Sequence, residues 1–303
     1  MTTSLLLIHA LSPLHAGTGQ SAGPIDLAIA REKATGIPYL PGSSIKGVLR
    51  DRCESTAPNT VTPLFGPPTE RASDHAGSLH FGDARLLFLP VRSFAGTFAW
   101  VTSPLLLARL SRDLEESGRK GVARVELGQT ECLIALDQGG QRKSLLQAQQ
   151  SPRRVVLEEL DLAVNEGHDL VNVLAALLEP LVEPFGLKAV DLQRRVCVVS
   201  DDVMSFLLQQ ATEVTARIRL DDDKKTVAQG ALWYEEALPA ETILVSLVLA
   251  SPPRAANLEP KDALAKLSTL LAGSIQFGGK ATVGRGLCRA HLATHAVGTG
   301  GRR

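Results

Sequence analysis

The chain has no surplus of positive charge: Lys+Arg and Asp+Glu each number 32 in 303 residues, for a formal net charge of +0. That excludes a generic cationic nucleic-acid binder, so any RNA contact has to come from a local patch. Cysteine is scarce, and Cys53, Cys132, Cys197 and Cys288 lie far apart with no CxxC pair. The spacing argues against a zinc knuckle and for reduced, buried thiols in a cytosolic protein. The first residues, MTTSLLLIHALS, have no basic leader and too short an apolar run to span a bilayer. A cytoplasmic protein with no membrane partner is expected. Finally, Asp137, Glu158, Glu159, Asp161, Glu235 and Glu236 form no recognisable paired-acid motif.

What is present is a globular composition, 44% hydrophobic, long enough for one large domain or two smaller ones. Ser4–Leu11 reads as a buried strand. A long loop rich in Gly and Pro follows, and Ser43 or Ser44 is expected to cap a basic helix through about Cys53. Residues 54–77 read as loop, Ser78–Pro90 as one long strand before a turn at Gly96, and Ser103-Pro104 as a helix start running to Gly118. Strand pieces are expected near Cys132–Leu136, Val155–Leu162 and Val196–Val199. A basic exposed loop is expected at 138–154, and helices at Asp169–Val182 and after a capping Asp201. Thr212–Leu220 and Thr226–Trp233 alternate as a long hairpin around the acidic turn 221–225. A buried strand, Thr242–Ala250, an amphipathic helix, Pro260–Ala272, and a strand–glycine loop–strand unit close the chain. Strands and helices do not alternate regularly, which disfavours a doubly wound sheet. A strand–helix–strand at each end suits an α+β, ferredoxin-like βαββαβ sheet with the middle inserted.

The motifs are weighed against ordinary structural roles. Gly17–Ala22 mimics a dinucleotide fingerprint, but Ser12-Pro13 ends the strand early and Gly23-Pro24 stands where a helix must begin, so nucleotide binding of that kind is rejected. Gly273–Lys280 is off the phosphate-loop spacing by one, and Ala281 replaces the magnesium-binding hydroxyl. Gly278, Gly279, Gly284 and Gly286, interleaved with Lys280, Arg285 and Arg289, read equally as a phosphate cradle or a hairpin turn. Lys46 and Arg50, four apart behind Gly42-Ser43-Ser44, make either an anion site at a helix start or a solvated face. Asp26, in PIDLAIA, reads by itself as a turn or helix cap. Beside a phosphodiester it could instead take a proton from a 2′-OH or ligate a metal. His15 suits acid–base work or a plain hydrogen bond.

Taken together, LSPLHAGTG, PIDLAIAREKATGIPYLPGSSIKGVLR, GSLHFGDARLLFLPVRSFAGTFAWVTSPLLLARL, ALWYEEALP and GGKATVGRGLCR resemble one family. It is the RAMP superfamily, in the backbone-subunit group of type III-B CRISPR (Cmr) effectors, with the related Csm backbone subunit as nearest competitor. The resemblance implies an RRM-like palm with inserted fingers and a β-hairpin thumb. The whole chain would be one such domain. The palm would take about 1–118 and 237–295, the insertion about 119–236 with the thumb at about 212–235, and 296–303 would be a flexible tail.

The resemblance further implies an RNA-guided endoribonuclease of antiviral defence. Its partners would be guide CRISPR RNA, single-stranded target RNA, other copies of itself in a filament and other Cmr subunits. Asp26 matches the catalytic aspartate, with a divalent ion, magnesium or manganese, as cofactor, and His15 and Glu235 are second-tier candidates. Ser43, Ser44, Lys46 and Arg50 would contact guide RNA, as would the loop carrying Gly278, Gly279, Lys280, Gly284, Arg285 and Gly286. In the thumb, Val214, Ile218 and Leu220 would supply apolar contacts, with Arg217 and Arg219 near phosphates. Glu115, Glu116, Asp201, Asp202 and Asp221–Asp223 would give the acidic surface that balances a basic RNA face. The alternative is a guide-binding filament subunit that does not cut.

Overall fold

Ser4 to Ala10 is a run of seven buried residues. That burial follows from being a central strand covered on both faces. In the computed structural model, which describes residues 1–19, 25–135, 144–146, 153–165, 170–220, 227–253 and 257–293, this strand, β1 (Thr2–Ala10), lies between two antiparallel neighbours. Its alternation divides the protein into two cores: Leu6, Ile8 and Ala10 face one, Leu5 and Leu7 the other.

Along the chain follow β2 (Tyr39–Leu40), α1 (Gly42–Thr56), α2 (Val61–Phe65), β3 (Leu79–Phe81), β4 (Ala84–Ser93), β5 (Thr97–Thr102) and α3 (Pro104–Glu116). Next come β6 (Glu131–Leu133), β7 (Arg154–Leu157), β8 (Leu160–Val164), α4 (Leu170–Val182), α5 (Ala189–Arg195), β9 (Val196–Val199) and α6 (Asp201–Gln210). The chain then forms β10 (Glu213–Leu220), β11 (Val227–Ala237), β12 (Ile243–Ala250), α7 (Pro260–Leu270), β13 (Ser274–Gln276) and β14 (Leu287–Ala293).

Four of these strands make the expected motif. The order β14-β1-β12-β4, antiparallel throughout, is the fourth, first, third and second strand of a βαββαβ unit. α1 and α7, its two helices, bury Ile45, Leu49, Leu264 and Leu267 in the same core. A register shift between β12 and β4 at Ile243/Leu244 breaks the alternation of β4, so Leu87 and Phe88 both enter the core that Leu86 and Leu89 avoid. Such a bulge bends a strand. β4 leaves β12 beyond it and continues beside β5, where the sheet extends through β9, β6, β8 and β7. β10 and β11 stand apart as a two-stranded sheet.

Several expectations change. Helix α1 begins at Gly42, with Pro41 as N-cap and no capping side-chain bond, so neither Ser43 nor Ser44 caps it. The Asp83 carboxylate, brought in by the β3–β4 connection, instead accepts the Gly42 N–H at 2.8 Å. Ser78–Pro90 is two strands, not one, split at Gly82-Asp83, and both pair with β12. Residues 54–77 hold the end of α1, two 3-10 turns and α2 rather than loop alone. Val155–Leu162 is a tight hairpin whose turn puts Glu158 at φ 50. Ser200, not Asp201, caps α6 by accepting the Val203 N–H at 3.3 Å, while Asp201 accepts the Leu105 N–H at the start of α3. β11 runs four residues beyond its expected end, to Ala237. The acidic turn 221–225, the tail from 294 and most of the 138–154 loop lie outside the described residues; of that loop, Ser144 and Leu146 are buried. All four cysteines are free and buried. Among the described residues no single helix is long and apolar enough to cross a membrane.

Candidate functional site

Between β1 and α1 the chain is laid down in short extended pieces that pair with distant segments. Leu14 bridges Leu238, His15 bridges Gly279, Gly17 bridges Ile29, and Leu27 bridges Glu235 in parallel. Among the described residues no helix lies between Gly17 and Pro41, and Leu27 joins the free edge of β11. The Leu27 N–H donates to the Tyr234 carbonyl at 3.0 Å, and the Glu236 N–H donates to the Leu27 carbonyl at 2.9 Å.

Asp26 sits at the start of this short ladder. It caps no helix. Its Oδ2 accepts the Tyr234 N–H at 2.8 Å, the side chain is exposed, and Oδ1 has no partner among the described residues. One carboxylate oxygen is thus fixed and the other offered to solvent, at the junction of the ferredoxin-like sheet and the β10–β11 hairpin.

The next two acids alternate to opposite faces of β11. Glu235 is 6% exposed, and its Oε1 accepts the Trp233 indole N–H at 2.8 Å. The same oxygen pairs with Lys280 at 3.0 Å, and Arg217 stands 3.4 Å from Oε2. Burial pushes the Glu235 pKa up. The Trp233 N–H, Lys280 and Arg217 outweigh it and hold the carboxyl below its usual range. That makes Glu235 an ionised anchor and a poor proton donor at neutral pH. Glu236 accepts from Arg31 at 2.5 Å, from Thr212 at 3.0 Å and from the Ile29 N–H at 3.1 Å. Nothing in the spacing of these residues signalled that convergence.

His15 is buried, with Nδ1 2.7 Å from the Glu236 carbonyl oxygen. A carbonyl only accepts, so Nδ1 carries the proton and Nε2 the lone pair of the neutral ring. The His15 carbonyl accepts the Gly279 N–H at 2.9 Å. Gly278, at φ 70, is needed there, because a Cβ would collide with that carbonyl oxygen.

The glycine-rich loop is a closed turn. The Phe277 N–H donates to the Gly286 carbonyl, and Lys280 O accepts from both Val283 and Arg285. Gly286, at φ 76, leaves room for the Phe277 carbonyl; Gly284 faces open space. Arg285 points to the hairpin, donating to Glu213 at 2.8 Å and Thr215 at 3.2 Å. Arg50 is also committed inside the protein, to Glu54, Gly66 O and Pro67 O. Lys46, one turn earlier, is partly exposed and has no hydrogen bond or ion pair among the described residues. Ser43 and Arg219 are exposed, and Ser44 and Arg217 half-buried.

The hairpin presents a solvent-facing apolar side. Ala216 opposes Tyr234 and Ile218 opposes Leu232, and with Val214 these place four large side chains 42–54% exposed on one face. Leu232 and Tyr234 escaped the sequence reading, although the alternation of β11 would have aligned them with Ile218. The expected contribution of Leu220 falls on a side chain outside the described set. The structure therefore gathers Asp26, His15, Glu235, Arg217, Lys280 and the glycine loop at the hairpin base. It leaves Ser43, Lys46 and Arg50 on α1 as a separate feature.

A divalent ion finds no ready-made cage here: among the described residues no three His, Cys, Asp or Glu side chains cluster. Glu235 and Glu236 are occupied by cations and N–H or hydroxyl donors, which leaves Asp26 Oδ1 as the free carboxylate oxygen at the hairpin base among the described residues. That donor set fits an ion shared with a phosphate, the usual habit of magnesium at nucleotides.

The RAMP superfamily model matches residues 7–289. The chain belongs to the RAMP superfamily. Within it the relationship is to Cmr4, the endoribonuclease of the Cmr CRISPR system of Pyrococcus furiosus, which is 35% identical over 298 residues and covered over 96% of both chains. The Cmr4 subunit of Saccharolobus solfataricus is 24% identical across 92% of this chain and 93% of its own. Among solved structures, oligomeric Cmr4 from Pyrococcus furiosus superposes with a TM-score of 0.73 at 28% identity, over 97% of this chain and 100% of that one. A type III-B Cmr-beta complex bound to cognate target RNA contains a chain with the same fold, with a TM-score of 0.74 at 20% identity, over 97% of this chain and 98% of that one. For this RAMP chain, then, the four-strand unit is the palm and β10–β11 the thumb of the Cmr4-type fold.

Proposed function

We propose that this chain is an RNA-guided endoribonuclease and the backbone subunit of a type III-B CRISPR effector. It stacks with copies of itself and with other Cmr subunits along a guide RNA, and it cuts the paired target. One observation carries the reading: Asp26 is a solvent-facing carboxylate with one oxygen tied to the Tyr234 N–H and the other free. The kinship with a Cmr4 endoribonuclease supports it.

The chemistry is an in-line transfer. A 2′-oxygen of the target attacks the adjacent phosphorus, its proton passes to the free oxygen of Asp26, and the 5′-oxygen leaves and takes up a proton from solvent. Anchoring Oδ2 on a rigid strand amide aims Oδ1 and removes the entropy of the search. The exposed face of Val214, Ile218, Leu232 and Tyr234 suits a wedge that unstacks a target base and frees its sugar for in-line geometry. His15, with Nε2 unprotonated in the neutral ring, is a second-tier base. Glu235 holds Lys280 and Arg217 in place beside the site. A magnesium or manganese ion shared between Asp26 and the RNA would supply charge neutralisation at the phosphate. Lys46 and the loop carrying Gly278, Gly279 and Gly284 supply guide-backbone contacts. Base pairing reads the sequence, which leaves the protein no need for a large net charge. The same reading puts the chain in the cytoplasm.

The test is target cleavage by a reconstituted complex carrying Asp26→Ala. Cutting is expected to vanish while assembly and guide loading persist; undiminished cutting would leave a filament subunit that only binds guide.

A further inference from the structure

Glu236 is 3% exposed, and the hydrogen bonds of its carboxylate reach two other parts of the chain, the loop at Ile29–Arg31 and the lead-in to β10. Oε1 accepts from Arg31 and from Thr212, just before β10, while Oε2 accepts the Ile29 N–H. Arg31 in turn donates to the Gly36 carbonyl at 2.9 Å and to the Leu208 carbonyl, near the end of α6, at 3.0 Å. The palm loop, the end of α6 and the base of the hairpin therefore meet at one half-buried ion pair. Such a pair adds little to stability over an apolar substitute, but a fully satisfied one selects a single geometry.

The geometry at stake is that of Asp26. Segment 25–29 is bound to β11 by one parallel bridge, at Leu27. Two main-chain hydrogen bonds define that bridge, and a register so sparsely specified slips readily. A slip of one residue would turn Asp26 to the other face. Beside the Tyr234 N–H on Asp26 itself, the Ile29 N–H on Glu236 is a fourth tie, three residues beyond Asp26, and it locks the register from the far end of the segment.

We propose that Glu236, with Arg31, is a positioning residue for cleavage: it pins segment 25–29 on β11 and so sets the direction of the free Asp26 oxygen. The proposal rests on the reading of Asp26 as the cutting residue. Hairpin attachment does not hang on this pair alone, because Arg285–Glu213 and Lys280–Glu235 also tie the hairpin base.

The experiment uses the assembled complex with Glu236→Ala, Glu236→Gln and Asp26→Ala. It measures the single-turnover cleavage rate at saturating target and, separately, the dissociation constant for target RNA. Glu236→Ala is expected to lower the rate about 10- to 100-fold, the scale of an ångström-sized misplacement, with target affinity unchanged. Glu236→Gln can still accept the Ile29 N–H but loses the ionic bond to Arg31, so its rate should fall between wild type and the alanine variant. A wild-type rate in Glu236→Ala overturns the proposal, as does a parallel loss of rate and affinity in both variants. If the alanine variant does not assemble, Glu236→Gln decides alone, with a lowered rate at unchanged affinity as support and any other result as refutation. Undiminished cutting by Asp26→Ala marks failure of the underlying reading, whatever the Glu236 variants do.

Discussion

The palm and the thumb hairpin are both antiparallel β-structure, yet they are held by different forces. In β1 and β12 most side chains are buried on one face or the other, and Leu5, Leu6, Leu7 and Ile8 are all at 0% exposure. In β10 and β11 the outer face is exposed and apolar, and the base is tied by Arg285–Glu213, Lys280–Glu235 and Arg31–Glu236. Burial is non-directional and tolerates no water. Hydrogen-bonded ion pairs are directional and place a group at a chosen angle. The division suits the proposed role, in which the sheet has only to persist while the hairpin base aims the Asp26 carboxylate.

The comparison breaks if the two regions respond alike to substitution. Leu7→Ala, at the centre of the palm, should destabilise the chain by about 2–5 kcal/mol, read as a lowered chemical-denaturation midpoint. A loss no larger than that of a surface change would contradict the palm's dependence on burial. Alkali should also act on the palm. Burial pushes the Cys288 thiol of β14 from its ordinary 9.0 up to about 12. The folded state holds the proton that the unfolded chain releases, so stability should decline as pH rises above 9.0 and level off near 12. Equilibrium unfolding across that range, with Cys288→Ala as control, checks it.

Acid should act on the hairpin as well. The folded pKa of Glu235 lies below its ordinary 4.5, so its contribution is complete above 4.5 and is lost as pH falls through the lowered value. The Trp233 indole, which donates to Glu235, should report that step by fluorescence, and Glu235→Gln should remove it. The smallest effect on stability is expected from Ile218→Ala. At 51% exposure it should shift stability by less than about 0.5 kcal/mol, while target cleavage slows and guide binding holds. Cleavage at the wild-type rate would remove the hairpin face from the mechanism.

Much of the palm was legible because its signals are local. Periodicity marked β1, α3, β12 and α7, and β9 outside the palm, to within a few residues, since burial writes a repeating pattern into consecutive positions. Where a boundary was misjudged, a distant partner had decided it. Asp83 caps α1 across the sheet, so Ser43 and Ser44 were not needed. The Gly82-Asp83 break in the long strand arises where the chain turns over that same helix start. The site divided in the same way. Asp26, His15, Glu235 and the glycine loop were named from the residues and their resemblance to a family. Arg285 and Arg50 were read as free cations because a sequence does not show that Glu213 and the Gly66 carbonyl claim them.

Sequence alone determined most strands and helices of the palm and the balanced charge that rules out indiscriminate RNA binding, and its resemblance to a family singled out Asp26. Only tertiary structure decided what Asp26 faces. Its partner is the backbone amide of Tyr234, and the anchor of its segment is Glu236, more than two hundred positions along the chain. A main-chain N–H is common to every residue but proline and leaves no mark in a sequence. Which amide meets the carboxylate is settled only when the hairpin folds back against the loop.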